Sequence, residues 1–152
     1  MAQVPTVNSH PDILIPPGVP WARLAATLAE GLGIPERHVF AEATPEDVDY
    51  GPLFDEGYLV VHRFRGGAVE WLAQGALAAD ALSDARMQAL SARLGVPVCV
   101  DRSQSILQPD YVAYMPDKVV RGLRVFEHED ADGEIYLTSR EMDQLREGGA
   151  QA

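Results

Sequence analysis

Tyr58 to Ala73 reads YLVVHRFRGGAVEWLA, and the fold turns on its glycine pair. Tyr58–Arg65 and Ala68–Ala73 are rich in β-branched and aromatic residues, and Gly66-Gly67 supplies the positive φ that a two-residue hairpin turn needs. The stretch predicts two antiparallel strands in the middle of the chain.

Upstream the period changes. Trp21, Leu24, Ala25, Leu28 and Leu32 recur at helical spacing behind Pro20, with Gly31 and Gly33 as the stop. Thr44-Pro45-Glu46-Asp47 combines a cap, a proline and first-turn acids, which predicts a short helix ending at Gly51-Pro52. Before Pro20 the chain holds Pro5, Pro11, Pro16 and Pro17, each fixing φ and removing a donor, so residues 1–19 are expected as an extended proline-rich arm.

Downstream, Gln74–Leu82 fits either a continued strand or a helix start. Ser83 caps a predicted helix through Leu94, with Met87, Leu90 and Leu94 on one face and Gly95 after it, and Val96–Asp101 (VPVCVD) follows as a buried strand. Tyr111–Met115 is a predicted strand and Pro116-Asp117 a turn. Leu123–Glu129 and Glu134–Thr138 read as strands around Asp130-Ala131-Asp132-Gly133. Thr138-Ser139-Arg140-Glu141 reads as a capping box opening a last helix with Met142 and Leu145 inward. These elements predict an α+β fold: one domain over residues 20–147, a mainly antiparallel sheet with about three helices packed on it, and a flexible tail over 148–152.

The segment EHEDADGEI, Glu127–Ile135, tests for calcium chemistry. With Gly133 at the sixth position of an EF-hand loop, Asp130, Asp132 and Ile135 match, but His128 replaces the first aspartate and Ser139 the closing glutamate. The flanks alternate as strands do, so Asp132-Gly133 reads as turn chemistry. His10, His38, His62 and His128 share no metal-ligand spacing, and no GxSxG, Walker or strand-linked GxGxxG motif occurs. Neither a metal nor a cofactor is expected. Cys99 sits between Val98 and Val100 in an apolar run and reads as a small hydrophobe. Asp101 after a strand, with His62 and Glu70 facing one another across the hairpin, is the one catalytic arrangement the residues suggest.

With 152 residues, 47% of them hydrophobic, the chain is long enough to bury a core. The lone cysteine, the lack of a signal-like start and the absence of a long apolar run point to a cytoplasmic protein that does not span a membrane. The net charge is −11 and is concentrated: Glu42–Glu56 holds six acids and no base, Glu127–Glu147 eight acids and two arginines. Such a surface repels nucleic acid and anionic membranes and suits a protein partner with a basic surface. Within these segments Glu46, Asp47, Asp49, Tyr50, Phe54, Asp55, Glu56, Glu127, Glu129, Asp130, Asp132 and Glu134 are the candidate partner-binding residues. Tyr58 and Tyr136 stand beside them, and the oligomeric state is not legible.

A small acidic α+β chain with a helix, a hairpin, the run LSARLGVPVCVDRSQSILQPDYVAYMPD (Leu90–Asp117) and a final acidic hairpin resembles the immunity proteins that neutralise bacterial secreted toxins. The resemblance rests on size, acidity and general likeness and carries no site residues across. It implies a non-enzymatic binding protein that covers the basic active site of a toxin such as a nuclease. A phage or secretion-system accessory or adaptor protein, docking through its proline-rich arm, is the alternative expectation; a small hydrolase built on Asp101, His62 and Glu70 is the third.

Overall fold

The computed structural model describes residues 7–9, 12–103 and 110–151. Eight of the nineteen residues expected as an arm, His10 among them, lie outside them. The strands are β1 (Val7–Ser9), β2 (Ile13–Ile15), β3 (Val39–Ala41), β4 (Tyr58–Arg63), β5 (Trp71–Ala78), β6 (Val98–Asp101), β7 (Tyr111–Tyr114), β8 (Val119–Leu123), β9 (Phe126–Glu129) and β10 (Ile135–Thr138). The helices among the described residues are α1 (Trp21–Leu32), α2 (Tyr50–Glu56), α3 (Asp84–Leu94) and α4 (Arg140–Gln151), four where about three were expected. The main sheet runs β3-β4-β5-β2-β6-β7-β8 with β1 added on β5, and β9 and β10 form a second, two-stranded sheet. Among the strands of the described residues only β3 and β4 pair in parallel, and a single parallel bridge joins Gly67 to Leu137. The chain is thus α+β with a mostly antiparallel sheet.

The period of two divides the main sheet into two faces. Ile13, Ile15, Leu59, Val61, Trp71, Ala73, Leu77, Val98, Val100, Val112 and Tyr114 lie on one, beneath the apolar sides of α1 and α3. Leu14, Cys99, Ala113 and Leu123 lie on the other, covered by Ala68, Val69, Leu137, Met142 and Leu145. Met142 is wholly buried, and its removal to alanine would cost about 2–5 kcal/mol. The α3 helix begins where expected, Ser83 Oγ accepting from Arg86 N at 3.3 Å.

Several expectations are corrected. Ile13–Ile15 is not part of an extended arm: it is a fully buried central strand, pairing with β5 on one side and β6 on the other. Three apolar side chains with a sheet edge on each side outweigh the surrounding prolines, which fall outside the strand. The first hairpin is wider than a two-residue turn. Its last pair is Arg63↔Trp71, and Phe64 N donates to Glu70 O at 2.7 Å, so 64–70 form the connection. Ala68 and Val69 leave the ladder because they are buried in the core of the second face.

The residues 44–47 turn without starting a helix. Asp49 is the cap of α2, its Oδ1 accepting from Gly51 N at 3.0 Å, and Gly51-Pro52 fall inside the first turn, where a missing N–H leaves no bond unmade. The last helix is capped by Ser139, whose Oγ accepts from Met142 N at 3.2 Å. Glu141 is drawn instead to Arg124, whose N–H it accepts at 2.9 Å. The α4 ladder continues through Gln151, so the backbone of 148–151 is helical where a tail was expected. Gln74 to Ala78 continues the strand and Ala79–Leu82 forms a 3₁₀ turn. Val119–Gly122, left unassigned by sequence reading, join Leu123 in a strand, and the strand expected over Leu123–Glu129 breaks at Arg124-Val125, so that only Phe126–Glu129 pairs with β10.

Candidate binding surface

The first acidic segment runs from the end of β3 through α2 to β4. Leu53 is buried and pins α2 to the body, while Tyr50 and Phe54, four residues apart, stay 48% and 51% exposed. Their rings lie 6.1 Å apart, and Phe54 meets Tyr58 edge-on at 5.9 Å. Tyr50 OH shares a 3.0 Å hydrogen bond with Thr44 Oγ1, tying the preceding loop to the helix. The result is a held ladder of three aromatics leading from solvent into the sheet.

The acids around this ladder divide by use. Glu56 lies 3.4 Å from Arg37 Nη2 and 3.5 Å from Nε2 of the buried His38, whose Nδ1 donates to Gly57 O at 2.9 Å. Glu42 accepts from Arg63 N at 3.0 Å and stands 3.7 Å from His62. Asp49 is the helix cap. Glu46, Asp47 and Asp55 are exposed with no cationic partner among the described residues.

The second segment is the β9–β10 hairpin and the start of α4. Asp130 Oδ1 accepts from Asp132 N at 2.8 Å and Glu134 N at 2.9 Å, and Gly133 N donates to Asp130 O at 3.0 Å. The Asp-Gly pair is therefore turn chemistry, with strands rather than helices on both sides. Tyr136 stacks on His128 at 5.1 Å and is half-buried, whereas Phe126 is 55% exposed. Glu127, Glu129, Asp132 and Glu134 face solvent.

All twelve candidate partner-binding residues are exposed. No hydrogen bond or ion pair joins the two acidic segments among the described residues. Each is anchored on the β4–β5 hairpin: Arg63 N at the end of β4 donates to Glu42, and Ala68 N in the connection donates to Leu137 O of β10 at 2.8 Å.

The catalytic arrangement does not assemble. His62 pairs across the hairpin with Leu72, not Glu70, whose carboxylate takes Arg63 at 2.8 Å and Gly18 N at 3.4 Å. Asp101 is on β6, with β5 and β2 between it and β4. Its Oδ1 accepts from Ser103 N at 2.8 Å. It shares the second face of the sheet with Tyr111, Gln74 and Asp12, and Gln74 donates to Asp12 at 2.6 Å. Burial first, then the Asp101 and Asp12 charges, push the Tyr111 hydroxyl up to about 12. Burial alone pushes the Cys99 thiol up to about 12, which keeps it protonated and poorly nucleophilic. Among the described residues no three His, Cys, Asp or Glu side chains gather as a metal site would require, and no helix is long and apolar enough to cross a membrane.

A cleft of about 680 Å³ lies between Pro17, Val96, Pro97, Met115 and Pro116 on one wall and Asp143, Leu145 and Arg146 of α4 on the other. Sequence reading missed it, because its walls come from four separate parts of the chain. Comparisons of the chain with protein-family models, curated proteins and solved structures find no match.

Proposed function

We propose that the chain is a non-enzymatic binding protein whose acidic surface engages a basic protein partner, and that it acts as an immunity protein inhibiting a toxin such as a nuclease. The observation that carries this reading is the α2 surface, where two half-exposed aromatics are held rigid beside carboxylates that lack a cation. Aromatic anchors in a charged rim are what concentrate affinity in protein interfaces, while the charge speeds encounter with an oppositely charged partner. Holding the ladder in place beforehand reduces the ordering cost of binding.

The test is capture from native lysate by immobilised chain, run beside a variant carrying Asp47→Lys and Asp55→Lys, two positions with no capping duty. A basic protein retained by the unmodified chain and lost from the variant, followed by inhibition of that protein's toxic activity on reconstitution, is the expected outcome. Identical capture by both forms, or a captured protein whose activity the chain leaves untouched, would refute the proposal.

A further inference from the structure

Resting on that reading, we infer that the α2 surface receives an arginine side chain of the partner, its guanidinium laid on the Phe54 and Tyr50 rings and its N–H groups turned toward Asp47 and Asp55. The chain assembles this trio of aromatic, guanidinium and carboxylate within itself. Arg63 lies 5.3 Å over the Trp71 ring while its guanidinium binds Glu70 at 2.8 Å. On α2 the exposed aromatics stand in a segment of six acids, Glu42–Glu56, that contains no base, and the neighbouring Arg37 is engaged by Glu56.

Ring geometry selects arginine over lysine. Phe54 and Tyr50 are inclined at 33° with about half of each residue open, so aromatic surface is available to a ligand. A guanidinium is planar and weakly hydrated, and it can stack on such a face while its edge still meets carboxylates; an ammonium is compact, strongly hydrated and satisfied by the carboxylates alone. An anionic ligand is excluded by the six acids of the segment.

The probes are a hexa-arginine and a hexa-lysine peptide, equal in charge, titrated into isotope-labelled protein while amide resonances are followed at physiological salt. Both are expected to move signals of residues 46–55, with hexa-arginine binding roughly three- to tenfold tighter. Phe54→Leu keeps the apolar bulk and removes the π face, so it should erase that preference and leave hexa-lysine binding unchanged. The exposed position of Phe54 keeps the fold intact, and the dispersion of the variant's spectrum verifies it. Equal binding of the two peptides, or a preference that survives Phe54→Leu, overturns the arginine inference and leaves a purely electrostatic surface standing. If neither peptide moves residues 46–55, the inference falls and so does α2 as the surface for a basic partner.

Discussion

Replacing Gly67 with alanine should detach the β9–β10 hairpin from the body. Gly67 has φ +82°, where a Cβ costs about 1 kcal/mol, and that Cβ would stand 2.1 Å from Leu137 O. This is roughly 1 Å or more short of an ordinary carbon–oxygen contact. The atom in the way is backbone, so no rotamer change relieves it. The strands must part, which breaks the hydrogen bond from Ala68 N to Leu137 O and strands a donor in a residue that is 1% exposed. That loss adds about 1–3 kcal/mol, for a total near 2–4 kcal/mol. Gly66 is the control. Its φ is +81° but nothing lies within 4 Å of its Cβ, so Gly66→Ala should cost only about 1 kcal/mol. Urea unfolding measures both costs, and hydrogen exchange over residues 126–138 locates the damage. Equal costs to within about 0.5 kcal/mol, or unchanged hairpin protection in Gly67→Ala, would refute the docking argument.

Three further outcomes follow from the buried and paired titratable groups. Cys99 should resist thiol reagents in the native state, and Cys99→Ala should cost about 1–2 kcal/mol in urea without altering partner capture. Because folding raises the Cys99 thiol from 9.0 to about 12 and the Tyr111 hydroxyl from 10.0 to about 12, both favour the folded state fully below pH 9. That stability is lost as pH climbs through each folded value, which thermal melts between pH 8 and 12 would register. The opposite sign holds for Glu141, whose carboxyl is lowered first by the Arg124 N–H and then by the Arg124 side chain. Its stabilisation is present above the ordinary glutamate range and fades as pH falls, so Glu141→Gln should lower the melting temperature at pH 7 and converge with the unmodified chain in acid.

Local chemistry was legible in the sequence and long-range pairing was not. α1, α3 and β6 were readable because caps and periodicity are written within a dozen residues, and the exposure of the acidic segments followed from their lack of apolar period. Ile13–Ile15 offered three apolar residues among prolines, and nothing nearby announces the two strands that flank it. Ala68 and Val69 look like a strand start and serve instead as a plug beneath α4. Asp49 and Asp130 resembled their acidic neighbours, yet one caps a helix and the other closes a turn, a distinction set by backbone geometry. The cleft beside α4 depends on segments that meet only after folding.

The position of Ile13–Ile15 bears on how the chain reaches its fold. This strand is synthesised before either of its partners, and Ile13 must find Ala73 on one side and Val100 on the other. Until β6 has been made, the edge of β2 that will join the β3-β4-β5 ribbon to the β6-β7-β8 ribbon has no partner. Such distant pairings carry a loop-closure cost that local helices avoid, and they slow the search for the native state. An early strand of three apolar residues would wait unpaired until β5 is made and paired on one side only until β6 follows. A nascent chain stalled before Val100 therefore presents Ile13, Leu14 and Ile15 with at most one neighbour, which is the condition that chaperone binding or aggregation exploits.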